Sequence, residues 1–264
     1  MFLGVDIMHI DRLYLQVTRN CTLNCEHCLK GDKEHKNMFI DTLKNILLDI
    51  DSIDTLLLTG GEPLLNIDLI EELVKIINSK GIDVRTVGIV TNGTVLSDRH
   101  IDALTALKDS CQYFKFHMSS DLFHRMEWDR LDLTERIEDN YDKYNSTIGI
   151  DKFLDDDRFK SIVLFNKGRA KKLSTSRLDE LKKKYYVYYK VKDEEATNEL
   201  SYDGDNIFGK ICIDVNGNLV DFSVSYEEED MCSNEGFNIN YNLLRDIIYD
   251  YIDSKNKNKK KILF

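Results

Sequence analysis

The chain has 264 residues, 42% of them hydrophobic, and a formal net charge of −11. That is enough chain for one large domain with an appendage, and the negative balance speaks against broad nucleic-acid binding, which needs cationic surface against phosphates. No apolar run approaches the roughly 20 residues that span a bilayer, and Met1 to Ile10 has neither the basic nor the apolar region of a secretory signal, so a reducing, cytoplasmic setting is expected.

Arg12 to Arg19 alternates as a first strand and feeds Cys21-Thr-Leu-Asn-Cys25-Glu-His27-Cys28, a C-x3-C-x2-C run. Loops this short bridge poorly as disulfides, and clustered cysteines in a reducing setting point to metal or catalysis. Two metal readings stay open. Structural zinc wants four ligands, and His27 is the candidate fourth, although its place between two of the cysteines is awkward for a shared tetrahedral site. Iron–sulfur clusters usually take four thiolates; three can hold three irons of a [4Fe–4S] cube and leave the fourth open to a substrate or cofactor.

Asp41 is placed to cap a helix with Leu43, Ile46, Leu47 and Ile50 on one face. Thr55 to Thr59 is a buried second strand that ends in Gly60-Gly61-Glu62-Pro63. Pro63, the chain's single proline, fixes its own backbone and biases Glu62 toward an extended one. The glycines permit close approach and positive φ. The result is a rigid turn presenting carbonyls and one carboxylate at the carboxyl end of a strand, the edge where parallel α/β folds bind ligands. It suits an α-amino group, or it is an ordinary βα turn.

Asn66 can cap a helix with Ile70, Leu73, Val74 and Ile77 inward, stopped by Gly81. Val84 to Val90 is a third strand ending in Thr91-Asn92-Gly93. Ser97 caps a helix carrying Ile101, Leu104 and Leu107, and Tyr113 to Met118 is a fourth strand ending in Ser119-Ser120-Asp121. This alternation predicts βαβ units and a parallel sheet. Cys111 lies eight residues before Ser119, about 26 Å from that edge at ~3.3 Å per residue.

Past residue 125 the pattern loosens. Leu131, Leu133, Ile137 and Tyr141 recur at near-helical spacing, and Thr147 to Ile150 and Ser161 to Phe165 read as short strands. Tyr185 to Val191 is a further strand candidate, and Ile211 to Phe222 reads as a hairpin around Asn216-Gly217. Leu243, Leu244, Ile247, Ile248 and Ile252 mark a closing amphipathic helix.

The C-x3-C-x2-C run after the first strand and the GGEP turn after the second together resemble the radical S-adenosylmethionine (radical SAM) superfamily, over residues 12 to about 122. The resemblance implies an α/β fold, a partial (β/α)6 TIM-like barrel over residues 1–170. It implies one [4Fe–4S] cluster on Cys21, Cys25 and Cys28, with S-adenosylmethionine (SAM) chelating the open iron. Gly60, Gly61, Glu62 and Pro63 then meet the SAM amine, and His27 lies beside the adenine. Asn92, Ser119 and Asp121 are cofactor-side candidates, the last two equally suited to helix capping. His117 and His124 read as core or rim histidines, with proton transfer as the alternative.

Asn166-Lys-Gly-Arg-Ala170 resembles the segment that precedes the C-terminal extension of peptide-modifying members, and residues 171–264 resemble a small α+β SPASM or twitch extension. Phe222 stands where a second cysteine is expected. Cys212 and Cys232 are too few for an auxiliary cluster. They read as small buried hydrophobes or as hydrogen-atom donors.

The implied activity is reductive cleavage of SAM and abstraction of hydrogen from an inert C–H bond by the 5′-deoxyadenosyl radical, with the protein supplying orientation and exclusion of water. The first substrate reading is a ribosomally made peptide, epimerised or crosslinked. The second is a nucleotide or other small metabolite, and the third is a non-catalytic SAM- or cluster-binding sensor. Lys30, Lys33 and Lys36 are expected to dock an acidic flavodoxin or ferredoxin, and the lysine-rich tail at 255–261 reads as a solvated helix end.

Overall fold

The computed structural model describes residues 8–152, 161–165, 168–190, 200–220 and 237–262. Its centre is four parallel strands, β1 (Met8–Thr18), β2 (Ile50–Gly60), β3 (Asp83–Thr91) and β4 (Tyr113–Met118). They are joined by α1 (Ile40–Ile46), α2 (Ile67–Lys80) and α3 (Asp98–Asp109), as a βαβ pattern requires. α4 (Leu122–Arg130) and α5 (Thr134–Thr147) lead to a two-residue β5 (Asp151–Lys152) beside β4. β6 (Ser161–Phe165) and β7 (Tyr186–Lys190), linked through α6 (Thr175–Lys184), form a separate parallel pair. β8 (Ser201–Asp203) turns back on β9 (Asn206–Ile213), and α7 (Leu244–Ile262) follows. The seven-stranded sheet has the order β5-β4-β3-β2-β1-β9-β8, antiparallel only at β8. This is the mostly parallel sheet of a partial barrel. No helix among the described residues is long and apolar enough to cross a membrane.

One face of the sheet is apolar and packed by helices. Leu13 and Leu15 of β1, Leu56 and Leu58 of β2, and Val87 and Ile89 of β3 join Leu43, Leu73 and Leu104 in one core. The alternate residues, among them Tyr14, Thr55, Arg85 and Lys115, stay partly or fully exposed. A parallel strand covered on both faces reads as a continuous apolar run; the alternation here marks one open, polar face.

The structure departs from the sequence pattern in several places. Residues 211–213, expected within a hairpin of the extension, lie in β9 and pair with Leu13–Leu15 of β1. An uncovered β1 edge is a row of unpaired N–H and C=O groups, and β9 satisfies it. The Asn216-Gly217 turn does form, with Val220 N–H donating to the Cys212 carbonyl at 2.9 Å. Ile247, Ile248 and Ile252 of α7 reach the same core, whereas Leu243 is exposed. Thr147–Ile150 is not a strand: α5 runs through Thr147, and β5 begins only after Gly149 at φ 84°. Asp41 lies in the first turn of α1 rather than at its cap, and Ile50 already opens β2. Asn66 and Ser97 occupy N-cap positions but do not cap with their side chains. Asn66 Nδ2 donates to the Val17 and Met38 carbonyls, and Ser97 Oγ meets His100 Nδ1. Asn166, Phe222 and Cys232 lie outside the described residues.

Candidate metal and cofactor site

The carboxyl ends of β1, β2, β3 and β4 bring the cysteine loop, the GGEP turn, Asn92 and Asp121 to one edge. Cys21, Cys25 and Cys28 are all free thiols, Cys25 buried and the others half-buried. Burial pushes the Cys21 thiol up to about 11. Burial pushes Cys25 up further, and in each case neighbouring cysteines of the trio add to the rise. Two thiols that resist ionisation alone, with Cys28 beside them on the same loop, are a donor set that a metal completes, because coordination deprotonates a thiol outright.

The GGEP turn is stitched to the strand that enters this loop. Gly61 N–H donates to Thr18 O and Glu62 N–H to Asn20 O, both at 2.8 Å. A Cβ on Gly60 would fall 2.2 Å from Thr18 O, and one on Gly61 2.2 Å from Asn20 O, so only glycine lets the two backbones meet. Pro63 then opens a short 3-10 turn, Pro63–Asn66.

The Glu62 carboxylate is not presented to a ligand, contrary to the sequence expectation. It is fully buried. Its Oε1 accepts from Thr91 Oγ1 at 2.8 Å and Leu64 N–H at 3.1 Å, and its Oε2 from Asn92 N–H at 2.7 Å. Burial pushes this carboxyl up to about 7 against the pull of those donors. The acid pins the end of β3 to the end of β2.

Asn92 reaches the cysteines. Its Nδ2 donates to Thr22 Oγ1 at 3.0 Å and lies 3.5 Å from Cys21 Sγ, while its Oδ1 accepts from Thr94 N–H at 3.0 Å. An N–H aimed at a ligating sulfur tunes the potential of the metal behind it. Ser119 places its backbone N–H on Thr91 O at 2.8 Å.

Asp121 realises the capping alternative. Its Oδ1 accepts from Phe123 and His124 N–H at the start of α4. Its Oδ2 also meets His124 Nδ1 at 2.7 Å and His27 Nε2 at 3.5 Å. Burial works to raise this carboxyl, but the hydrogen bonds from His124 and His27 outweigh it and hold it well below the usual carboxylate range. His27 stacks on Phe123 with ring centroids 4.5 Å apart.

Contacts from Glu127, Gly168, Arg169 and Arg177 brace the loop, and none of these contacts is legible in the sequence. Glu127 accepts from Asn24 N–H at 2.8 Å and is itself held by Arg130. Arg169 donates from Nε to the Cys25 carbonyl and from Nη1 to Asn24 Oδ1, each at 2.8 Å, and its own N–H meets Cys28 O at 3.0 Å. Gly168 has φ +55°, and a Cβ there would lie 2.3 Å from Cys28 O. Arg177 Nε reaches Glu26 at 2.9 Å. The Gly-Arg pair was visible as a motif, but nothing local marks Glu127 or Arg177 among so many charges.

Two expectations move. Lys30 is buried, which removes it from a docking surface and leaves exposed Lys33 and half-buried Lys36. Cys212 is buried in β9 opposite Tyr14 of β1, on the face where Lys210 Nζ lies 5.3 Å over the Tyr14 ring. Cys111 stays away from this edge, beside the amino end of β4, with its Sγ 3.3 Å from Tyr113 O.

Residues 15–154, more than half of the chain, match the radical SAM superfamily. The chain belongs to the radical SAM superfamily. Radical SAM proteins carry a [4Fe–4S] cluster and SAM, and the residues present fit both. The thiol trio supplies three ligands on one loop, the glycine turn leaves backbone close beside it, and His27 Nδ1 is buried without a partner among the described residues. Among the described residues the ligand atoms of His27 group with those of Asp121 and His124, all within 4.8 Å of one another, and not with the cysteines.

The GTP 3′,8-cyclase of Chlorobaculum tepidum is 41% identical over 100 residues, 36% of this chain and 29% of that protein. An uncharacterized protein of Methanocaldococcus jannaschii is 36% identical over 102 residues, 37% of this chain and 36% of its own. The tungsten-containing aldehyde ferredoxin oxidoreductase cofactor-modifying protein of Pyrococcus furiosus is 32% identical over 111 residues, 39% of this chain and 29% of its own. These matches span about a third of each relative's length. Among solved structures, anSMEcpe with bound AdoMet and the Cp18Cys peptide superposes with a TM-score of 0.50 at 13% identity, covering 90% of this chain and 79% of that one. At that identity the likeness is one of fold.

Proposed function

We propose that this radical SAM protein cleaves SAM reductively at a [4Fe–4S] cluster on Cys21, Cys25 and Cys28 and directs the resulting radical at a C–H bond of a ribosomally made peptide. The observation that carries the reading is the thiol trio on a loop stitched to the GGEP turn. When bound, the cluster and SAM supply the 5′-deoxyadenosyl radical. The chain's own residues do the rest. Asn92 places an N–H against Cys21, Arg169 and Glu127 hold the loop backbone, and Gly60 and Gly61 keep the second strand end close. Ser119 is held on Thr91 at the end of β3, and Asp121 meets His27 of the cysteine loop.

The peptide reading is supported by the Gly168-Arg169-Ala170 segment and by a fold like that of a structure solved with a bound peptide. In the epimerising version, Cys212 gives its sulfur-bound hydrogen to the substrate carbon radical, leaving a thiyl that an external one-electron donor and a proton restore. Cys232 is the second candidate for that role, and Lys33 with Lys36 the docking point for a flavodoxin or ferredoxin. A nucleotide substrate is the second reading, favoured by the GTP 3′,8-cyclase relatives.

The test is anaerobic reconstitution with iron and sulfide, then SAM and dithionite, with 5′-deoxyadenosine as readout. A candidate peptide that takes up solvent deuterium without other mass change indicates epimerisation, and loss of two hydrogens indicates a crosslink. Turnover of GTP instead moves the substrate to the second reading, and SAM binding without cleavage under every condition points to a sensor.

A further inference from the structure

The open face of the sheet carries a cavity that the cysteine edge does not use. On β1, β2 and β3 the helix-packed residues are at one point three apart instead of two: Ile10 and Leu13, Ile53 and Leu56, Val84 and Val87, aligned in register. Asp11-Arg12, Asp54-Thr55 and Arg85-Thr86 fall between them, and the pairing of β1 with β2 and of β2 with β3 keeps its register across this stretch. Asp11, Asp54, Thr55, Arg85 and Thr86 of this stretch, with Tyr113 and Lys115 of β4, line an open cavity of about 400 Å³.

The charges in it are unevenly matched. Asp11 Oδ2 accepts from Gly209 N–H at 3.1 Å and lies 3.3 Å from Arg12 Nε, and Asp54 lies 3.6 Å from His9 Nε2. Arg85 and Lys115 are both exposed to the cavity and, among the described residues, neither pairs with a carboxylate. The two carboxylates of the recess are engaged by Gly209, Arg12 and His9, which leaves the two cations to meet an anion from outside.

We propose that this cavity is an anion subsite for the substrate, taking a phosphoryl or carboxylate group between Arg85 and Lys115. A guanidinium fork and an ammonium are the pair that recognises either oxyanion, and the Thr55, Thr86 and Tyr113 hydroxyls lining the same cavity add donors. Thr55 and Thr86 lie five residues before Gly60 and Thr91, which is about 16 Å at ~3.3 Å per residue. The substrate is then extended along the open face, with its anionic group about that far from the edge where the radical forms. The terminal carboxylate of a peptide and the phosphates of a nucleotide both meet this requirement. The inference rests on the function proposed above in one respect, that the open face is the substrate side.

The test titrates the reconstituted holoenzyme anaerobically with inorganic triphosphate and with tricarballylate, followed by calorimetry. The expected result is saturable binding of at least one probe, weakened tenfold or more in the Arg85→Ala/Lys115→Ala double variant and weakened by added salt. Preference for triphosphate identifies a phosphoryl group, and preference for tricarballylate a carboxylate. Acetic anhydride labelling of Lys115 should fall when the probe is bound, while that of exposed Lys75 on α2 does not. No binding of either probe, or equal binding by the double variant, overturns the subsite. The double variant should still cleave SAM in the absence of substrate. If the unaltered enzyme fails to cleave SAM, it is the proposed function that fails, and the titration still decides the subsite.

Discussion

The helix-packed face and the open face of the central sheet come from alternate residues of the same strands, yet they are different kinds of surface. On β1, Leu13 and Leu15 are fully buried while Tyr14 between them is not, and on β4 Phe116 is buried while Lys115 is exposed. The packed face sets how the strands lie and hence where their carboxyl ends fall. The open face sets what can rest on it. Stability and chemistry are therefore separable one residue at a time, and each can be disturbed without the other.

The largest stability effect belongs to the packed face. Leu15→Ala should cost about 2–5 kcal/mol in urea unfolding of the cluster-free protein, the range for emptying a well-packed leucine site. Next comes Gly61→Ala, whose Cβ would meet the Asn20 carbonyl at 2.2 Å. It should lower both stability and the iron bound on reconstitution, because the clash lies at the root of the cysteine loop. Arg169→Ala removes the donors to Cys25 O and Asn24 and should cost about 1–3 kcal/mol, with faster loss of iron in air as the specific sign of a loosened loop.

A smaller effect is visible in pH. Glu62 holds its proton up to about 7, above the ordinary 4.5, so the folded state binds that proton more tightly than the unfolded chain does. Its contribution to stability is fully present below about pH 4.5 and is lost as pH rises through about 7. Cluster-free protein should lose roughly 1 kcal/mol from this group between about pH 6 and 8. Glu62→Gln should flatten that part of the profile. The smallest effect belongs to the open face: Arg85→Ala/Lys115→Ala should change stability by less than about 0.5 kcal/mol. A cost matching that of Leu15→Ala would erase the contrast between the faces.

What could be read from the sequence follows the same division. β1 through β4, the cysteine loop and the glycine turn announce themselves because strand alternation and motif spacing are local. β9 does not, since it joins β1 across nearly 200 residues of chain and its partner is chosen by an open edge rather than by its own composition. Glu62 was read as a displayed carboxylate because nothing in its neighbours shows that Thr91 and Asn92 fold over it. Asp121 offered two roles on paper and takes the cap, adding the bridge to His27 and His124 that only the fold can supply.

The central claim is that Cys21, Cys25 and Cys28 hold the cluster at which SAM is cleaved. It is tested most directly by 5′-deoxyadenosine formation from SAM and dithionite, comparing the reconstituted protein with Cys25→Ala. The account predicts steady formation by the first and none above background by the second, alongside loss of the cluster's visible absorption. Equal cleavage by Cys25→Ala would contradict it.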